Sequence, residues 1–512
     1  MSSKRLASSS TALRVISGSA ASWARIAITV VIQVTLVPIY LSSWGADVYG
    51  AWLLMQATWA LIMVVDSGHQ DYVGYECLRL GPANRSSIMT VAVSAVPIAL
   101  MIAVANVVIA FSIAHSYTVA KYIGLGGLLF EQWGASLVLL SIVWLTTGAI
   151  IALIVRAITP FGYYSLASWW GTGYAFVTAV VPGVAVIRGA DLWEASIALA
   201  VTGTIYQLAF LVRIGVIIRE EFILDVKPDF ALGYKQAVHS LWLTFRNLAE
   251  NFRQQGVRLI LSPLSGVSQM ATFSTMRTGA NFALQGLNTV AGPVLPELMR
   301  FLATRDQPRT ESAFAVVWLV LCAALSPAVL VVQCVAPAIF PAWTHGKIDY
   351  DPVLFAILSL GVLVYALSIP AIAVLQGNNL LRPQLFVSVL AAATTTIGMI
   401  VLVPIAGIRG AAMALLLAEA VSLSTTLYIA ATWLGRNSMH WPFRAFITAT
   451  ASVLIAAIGM AAIAKFPELN MYLLAVSLIA ELAVLVIYWN KLPVMARDRG
   501  ARLLSRLLPW SR

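Results

Sequence analysis

The sequence predicts an all-α, polytopic integral membrane protein with 14 transmembrane helices. Of its 512 residues, 60% are hydrophobic and only 10% are charged, whereas a soluble domain carries about 25% charged residues. The apolar stretches run to roughly 20 residues, the length that a helix needs to cross a bilayer. Strands of an outer-membrane barrel would be about half as long and would alternate in polarity.

The predicted spans follow one another along the whole chain and leave no room for a separate soluble domain. The longest predicted loops lie at 69–87, 115–133 and 213–237. The spans lie at 15–41, 48–68, 88–114, 134–155, 163–187, 192–212, 238–262, 267–298, 312–341, 353–376, 385–404, 410–433, 443–464 and 471–489.

No motif of a metal site or of a hydrolytic or nucleotide-binding enzyme is present. Cys77, Cys322 and Cys334 form no C-x-x-C pair, and the five histidines form no ligand cluster. The chain lacks a Walker loop, H-E-x-x-H and G-x-S-x-G. We therefore expect a non-enzymatic protein with no metal or organic cofactor.

The basic residues set the orientation of the predicted spans. With the N-terminus in the cytoplasm, 22 of the 32 lysines and arginines fall on the cytoplasmic side, 5 in outer loops and 5 inside spans. This bias follows the positive-inside rule and places both termini in the cytoplasm. It also explains the net charge of +11 without any nucleic-acid partner.

The seventh span is unusual because "FRNLAENFRQQGVRLIL" (245–261) carries three arginines. If this segment did not cross, 12 downstream basic residues would face outside and only 3 inside. That outcome would break the positive-inside rule, so the segment is predicted to span.

A helical wheel gives the seventh span one polar face. At about 100° per residue, its polar groups fill an arc of roughly 160°, with Arg258 at roughly 120° from Arg246. Phe245, Leu248 and Phe252 lie on the opposite side. The polar group contains Arg246, Asn247, Glu250, Asn251, Arg253, Gln254 and Arg258.

The eighth span repeats this pattern around Arg277, with Asn281 and Gln285 on the same face. An arginine at mid-membrane costs about 2.5–3.5 kcal/mol even on insertion scales, so such residues face a protein interior or water. A salt-bridge network between Glu250 and Arg246 or Arg253 is the structural alternative. It accounts for one or two arginines, and the remaining positive charge favours an anion.

A weak internal repeat at an offset of 221 residues indicates a six-plus-six duplication about an axis along the membrane normal. An Arg and a Gln eight residues apart recur in the first and seventh spans. The matching pairs include Arg25 with Arg246, Gln33 with Gln254, Gly45 with Gly266 and Met55 with Met276.

Three segments carry a family resemblance: "LVPIYLSSWGADVYGAWLLMQATWALIMVVDSGHQD" (36–71), "GVSQMATFSTMRTGANFALQGLNTVAGPVLPEL" (266–298) and "IRGAAMALLLAEAVSL" (408–423). They resemble bacterial polysaccharide flippases of the oligosaccharidyl-lipid (Wzx-type) branch of the MOP (MATE-like) exporter superfamily. The resemblance covers about the whole chain.

The resemblance implies two six-helix lobes around a central lumen that opens to each side in turn. The expected divisions are an N-lobe (1–235), a C-lobe (236–435), two extra spans (436–490) and a basic amphipathic cytoplasmic tail (491–512), whose helix covers 496–512. The implied task is to move undecaprenyl-diphosphate-linked oligosaccharide, an O-antigen or exopolysaccharide repeat unit, across the bacterial inner membrane. Membrane lipids and other polysaccharide-assembly membrane proteins are further expected partners.

The predicted anion site combines arginines, which bind phosphate in a bidentate way, with amides that suit sugar hydroxyls. Its residues are Arg25, Arg246, Arg253, Arg258, Arg277, Asn281 and Gln285.

Coupling to H⁺ or Na⁺ needs an acid inside the membrane. Asp66, Glu250 and Glu419 are the candidates. A helix-end acid at the inner interface is the alternative for Asp66, and an interhelical pair is the alternative for Glu419. Glu481 lies outside both lobes and is interpreted as mostly structural.

Three other functions stay open. A lipid II flippase has similar chemistry. A cation or drug antiporter has the same fold but should prefer surplus acid in its lumen. A membrane glycan polymerase or ligase generally needs a larger outer loop or a catalytic acid motif.

Overall fold

The computed structural model describes residues 11–221, 227–378, 380–492 and 497. Within this part of the chain the structure is helical and contains no strand. The fold divides into two compact units between Ala271 and Thr272. The predicted lobe boundary at 235/236 stays a prediction, and the predicted tail helix at 496–512 lies outside the described residues, apart from Arg497.

Within its described residues, the first unit contains ten helices and the start of an eleventh. Short π-helical turns join α5 to α6 (Trp144–Gly148) and α9 to α10 (Phe252–Gly256). The helices are α1 Thr11–Ile62, α2 Val64–Leu80, α3 Arg85–Ala114, α4 Tyr117–Ile123, α5 Gly127–Val143, α6 Ala149–Ile158, α7 Tyr164–Ile187, α8 Leu192–Glu221, α9 Phe230–Asn251, α10 Val257–Ser265 and α11 Val267–Ala303.

The second unit contains most of α11 and the remaining helices. A third π-helical turn, Leu321–Leu325, joins α12 to α13. The helices are α12 Gln307–Val320, α13 Ser326–Trp343, α14 Pro352–Gly377, α15 Leu381–Arg436, α16 Phe443–Lys465 and α17 Asn470–Lys491.

The described helices account for the 14 predicted spans. Ten are long and apolar enough to cross a membrane, and two of these hold a pair of spans. α1 bends at Gly45 (φ 72°, ψ −176°) and α15 at Gly407 (φ 57°, ψ −139°), backbone conformations that glycine adopts without a Cβ penalty. The other two spans are α9–α10 and α11, which carry the polar faces. The all-α, 14-span prediction is confirmed.

Helices extend further than predicted at all three long loops. The predicted loop 115–133 contains α4, and α5 begins at Gly127. The predicted loop 69–87 is helical as far as Leu80, and α8 continues to Glu221. The extra turns of α2 are polar, so hydropathy alone ends the span too early. These turns nevertheless belong to the packed part of the first unit, because α2 contacts α6 and α9.

The weak internal repeat has a structural counterpart at two glycines. Gly45 ends the first half of α1, and Gly266, which the repeat aligns with it, ends α10 at φ 87° and ψ 159°. Both glycines therefore have left-handed φ and extended ψ at the turn between consecutive spans.

Each unit has its own apolar core. In the first unit, side chains of α2, α3, α6 and α8 enclose Val73, Ile88 and Leu153. In the second, Trp318 is fully buried and donates a hydrogen bond from Nε1 to the Leu367 carbonyl at 3.2 Å. These cores fix the helices on which the polar residues lie.

Candidate functional site

The arginine-rich span consists of α9, the π-helical turn 252–256 and α10, and it belongs to the first unit. The Asp229 side chain caps its N-terminus by accepting hydrogen bonds from the amides of Ala231 and Leu232, which an N-cap aspartate does well. The span packs against α2 and α3. Phe245 and Leu248, on the predicted apolar side, are 57% and 38% exposed.

The π-helical turn corrects the wheel beyond residue 252. It adds one residue to the helical repeat, so every later side chain is rotated back by about 100°. Arg258 therefore lies at roughly 20° from Arg246 and not at the predicted position. Arg246 and Arg258 therefore lie on one side of the span, with Arg253 in the turn between them. We call these three residues the arginine stripe.

One arginine of this stripe is paired with an acid. Nη2 of Arg253 lies 2.7 Å from Oε1 of Glu250, and Nε lies 3.3 Å from Oε2. The Arg253 side chain is only 13% exposed, while that of Glu250 is 45% exposed. The salt bridge anticipated as an alternative is therefore present for this pair, and Gln254 also donates to the same carboxylate at 3.3 Å.

The other two arginines have neutral hydrogen-bond partners. Arg246 donates to the Asn247 side chain and Arg258 to the Gln255 side chain, each at 3.2 Å. Among the described residues, neither has a carboxylate within 4.0 Å, although Glu250 interacts electrostatically with Arg246. Arg258 also interacts with Tyr49. Since one glutamate faces three arginines, this span keeps a surplus of positive charge.

A second ion pair, which the sequence did not reveal, anchors the stripe to α2 and α6. Arg156 on α6 donates to Asp71 on α2 at 2.7 Å. Asn247, the partner of Arg246, lies 3.3 Å from the other Asp71 oxygen and 3.4 Å from the Ser67 hydroxyl. Nothing in the periodicity of a single sequence pairs Arg156 with Asp71.

Close backbone approach makes this network possible. A Cβ on Gly68 would lie 2.2 Å from Thr244 Oγ1 and 2.6 Å from its Cα, distances that real Cβ atoms do not show. Gly68 therefore allows α2 and α9 to touch. Ser67 and Asp71 then reach the amide of Asn247.

Asp66 is fully buried inside the first unit. Its Oδ2 accepts hydrogen bonds from Nε1 of Trp144 at 2.6 Å and from Nε2 of Gln70 at 2.7 Å. Its Oδ1 has no hydrogen-bond partner in the part of the chain that the structure describes. Asp66 lies in the first turn of α2, which continues to Leu80, and its role as a coupling acid stays a prediction.

Trp144 reaches Asp66 because it lies in the π-helical turn between α5 and α6. Gly148 ends that turn, and a Cβ there would lie 2.4 Å from the Trp144 ring. The ring also packs edge-on against Trp59 at 6.4 Å. The turn in α9–α10 has the same arrangement of an aromatic residue and a glycine four residues later, Phe252 and Gly256.

The remaining predicted site residues lie elsewhere. Arg25 is exposed on α1 of the first unit, and Glu419 is half-buried on α15 of the second. Three more are half-buried on α11 in the second unit: Arg277, Asn281 and Gln285. The first unit thus brings together Arg246, Arg253, Arg258 and Glu250, while the shared lumen stays a prediction.

The described residues contain no group of three or more His, Cys, Asp or Glu that could hold a metal ion. The expectation that the protein uses no metal remains a prediction.

No protein-family model and no curated protein matches the sequence. Solved structures do match. An inward-facing multidrug-resistance MATE transporter of the MOP superfamily has a TM-score of 0.62 at 14% identity, over 80% of this chain and 96% of the other. The lipid II flippase MurJ in an inward closed conformation has a TM-score of 0.61 at 10% identity, over 93% and 98%.

A MOP-superfamily transporter from Pyrococcus furiosus has a TM-score of 0.57 at 12% identity, over 83% of this chain and 96% of that one. It is described as having a binding pocket of reverse polarity, which suggests a different function. The chain therefore has the fold of MOP-superfamily transporters, and that part of the predicted resemblance is confirmed. Its placement in the oligosaccharidyl-lipid branch stays a prediction.

Proposed function

We propose that this protein is a flippase that moves undecaprenyl-diphosphate-linked oligosaccharide from the cytoplasmic to the periplasmic leaflet of a bacterial inner membrane. The observation that carries the proposal is the stripe of Arg246, Arg253 and Arg258 on one membrane-spanning segment. Only one of these guanidinium groups is within 4.0 Å of a described carboxylate. The other two guanidinium groups keep a positive charge that their neutral amide partners do not compensate.

The chemistry of the stripe suits a diphosphate. Arg246 and Arg258 lie on the same side of the helix, about 18 Å apart along its axis by residue count, and each guanidinium presents donors in a fork that matches phosphate oxygens. In a region of low dielectric constant these contacts are stronger than in water. The uncharged Asn and Gln side chains beside them are suited to sugar hydroxyls.

The structural neighbours support transport of a lipid-linked cargo in two ways. MurJ is described as a lipid II flippase, and it matches 93% of this chain, against 80% for the MATE transporter. The Pyrococcus furiosus transporter is described by the reverse polarity of its binding pocket. A positively charged stripe in a MATE-like fold is in line with a pocket polarity that varies within this fold. All three neighbours are transporters or a flippase, in agreement with the expectation that this protein is not an enzyme.

A lipid II flippase is the second candidate, because MurJ matches 93% of this chain. A cation or drug antiporter is disfavoured by the surplus of arginine. We therefore take the undecaprenyl-diphosphate-linked oligosaccharide as the cargo and alternating access as the transport cycle.

We assign ion coupling to Asp66. Among the three candidate acids it is the fully buried one, and Oδ1 lacks a partner among the described residues. Glu250 is paired with Arg253. A carboxyl in this position binds a proton with little rearrangement, because a neutral acid is much less costly to bury than a carboxylate.

Export rescue in a flippase-null strain tests the arginine stripe. We expect Arg246→Ala and Arg258→Ala each to lower surface glycan about tenfold or more, since each loses charge-assisted hydrogen bonds of about 1.5–3 kcal/mol. Arg79→Ala is the matched control, because Arg79 is 75% exposed and paired with Glu76. Its export should equal that of the wild type.

Equal export by all three variants at equal membrane levels would refute the anion site. Rescue of cells depleted of their lipid II flippase, without rescue of glycan export, would instead support the second candidate.

A further inference from the structure

A buried acid lies outside both predicted lobes, in the C-terminal hairpin formed by α16 and α17. Glu481 is in the middle of α17 and is only 1% exposed. Three neighbours in sequence-distant helices surround it, namely Ser452 on α16, Ser326 at the start of α13 and Cys322 in the π-helical turn 321–325. All three are fully buried. Nothing in the proposed transport mechanism uses this cluster.

Only one of the two oxygens of the Glu481 carboxyl group has a hydrogen-bond partner among the described residues. The Ser452 hydroxyl lies 2.7 Å from Oε2 of Glu481 and 3.0 Å from the Ser326 hydroxyl. A hydroxyl has one proton, so Ser452 donates to Glu481 and accepts from Ser326. Oε1 is buried and has no partner within the described residues.

No described cation is close enough to neutralise a carboxylate here. The helices packed against the cluster carry their charges near their ends. Nζ of Lys491 reaches Oγ1 of Thr448 at 3.5 Å, one turn from Ser452, but it forms no ion pair with Glu481 within 4.0 Å. The other titratable groups near the hairpin are the thiols of Cys322 and Cys334 and the hydroxyl of Tyr488, which donates to the Ala315 carbonyl. The charged residues are Arg309, Glu311, Arg444, Lys465, Glu468 and Lys491.

The packing around the cluster favours a proton over a metal ion as the ligand. One to two turns away, a Cβ on Gly459 would lie 2.5 Å from Ser477 Oγ and 2.7 Å from a Leu330 methyl carbon. The helices therefore touch, and a hydrated cation would have to separate them. A proton occupies Oε1 without any such displacement.

We propose that Glu481 is a proton-binding site whose occupancy controls the packing of α17 against the turn between α12 and α13. With the proton bound as an O–H on Oε1, the side chain is neutral and the hairpin packs as observed. When this O–H bond breaks and the proton passes to water, a carboxylate remains with a single hydroxyl donor. Its hydration then requires α17 to move away from Cys322 and Ser326. The proposal does not depend on the cargo.

Carbodiimide labelling of the purified full chain in lipid nanodiscs tests proton binding directly. Dicyclohexylcarbodiimide reacts with protonated carboxyl groups in apolar surroundings, and peptide mass spectrometry separates Glu481 from Asp66. We expect Glu481 to be labelled at acidic pH and its labelling to fall about tenfold per pH unit above the midpoint, as for a single titrating group. The exposed Glu468 is the control and should stay unlabelled.

Hydrogen–deuterium exchange of α17 tests the coupling to packing. We expect exchange in α17 to rise with pH in the wild type and to become independent of pH in Glu481→Gln, which keeps the neutral state. Unlabelled Glu481 at every pH, or the same pH dependence in Glu481→Gln, would overturn the proposal. Protection from labelling by sodium at constant pH would overturn it as well, because it would identify a cation site. If Glu481→Gln fails to fold, the wild-type labelling still decides the question.

Discussion

At the scale of single residues, the contact between Trp144 and Asp66 explains how an acid is accommodated inside the first unit. The indole N–H and the Gln70 amide both donate to Oδ2. An acid buried without such donors would be strongly destabilising. The remaining oxygen, Oδ1, is free of described partners and is the atom on which a coupling proton would reside.

Trp144→Phe removes one donor from the buried carboxyl while keeping an aromatic ring. We expect the free energy of unfolding of this variant to be about 1–3 kcal/mol lower than that of the wild type, because a buried acceptor is left short of a hydrogen bond. Thermal unfolding of the extracted protein measures this loss. Asp66→Asn is the control, because its side-chain oxygen still accepts both bonds and its stability should stay within about 1 kcal/mol of the wild type. A Trp144→Phe protein as stable as Asp66→Asn would contradict this account.

At the scale of helices, the approach of α2 to α9 holds the polar network together. Gly68 meets Thr244 at backbone distance, so the hydrogen bonds from Asn247 to Ser67 and Asp71 depend on a residue without a side chain. The Asp71–Arg156 pair then ties α2 to α6. Three predicted spans are therefore connected by one polar layer.

Gly68→Ala should separate α2 from α9. We expect a loss of about 1–3 kcal/mol, as for overpacking at a well-packed site, together with reduced export because Asn247 moves away from Asp71. Thermal stability of the extracted protein and surface glycan are the two measurements.

Gly171→Ala provides the matched control for that change. Gly171 also lies within a helix, α7, but an added Cβ there would have nothing within 4 Å. This variant should be unchanged or more stable by up to about 1 kcal/mol. Equal effects of the two substitutions would show that helix contact at Gly68 is not the cause.

The arginine stripe shows which features of a helix could be predicted from sequence patterns and which could not. Hydropathy alone misses α9–α10, which is not among the ten helices that are apolar enough to span. The basic-residue count recovers it, because each crossing reverses the sidedness of every later loop. The wheel finds the polar face but misplaces Arg258, since a π-helical turn depends on packing around Phe252 and Gly256 and not on periodicity.

Contacts between residues far apart in the chain could not be predicted from the sequence for a similar reason. Arg156 and Asp71 are 85 residues apart, and Trp144 and Asp66 are 78 apart. Each partner alone has an ordinary explanation, as a loop cation or as an interfacial acid or aromatic. Only the packing of α2 against α6 brings them into contact.

At the scale of the whole molecule, the count of spans fixes which side of the membrane each loop faces. The bends at Gly45 and Gly407 each separate two spans within one continuous helical segment. The predicted placement of both termini in the cytoplasm rests on an even number of crossings and on the positive-inside rule.

Cysteine labelling in intact cells tests the predicted sidedness. Lys347→Cys and His440→Cys introduce exposed thiols in loops that the prediction places outside and inside, respectively. An impermeant maleimide should label residue 347 in intact cells and residue 440 only after permeabilisation. The native cysteines Cys77, Cys322 and Cys334 are buried and should give little background. The reverse labelling pattern would invert the proposed topology.

The π-helical turns have a consequence for how related sequences should be compared. A turn of this kind persists only while its extra residue is present, and loss of one residue would restore a regular α-helix of nearly the same length. Among relatives, a one-residue gap in the middle of a span, within 144–148, 252–256 or 321–325, is therefore a legitimate alignment choice. A relative with such a gap at 252–256 would present the counterpart of Arg258 to a different neighbour, even though its sequence would look almost unchanged.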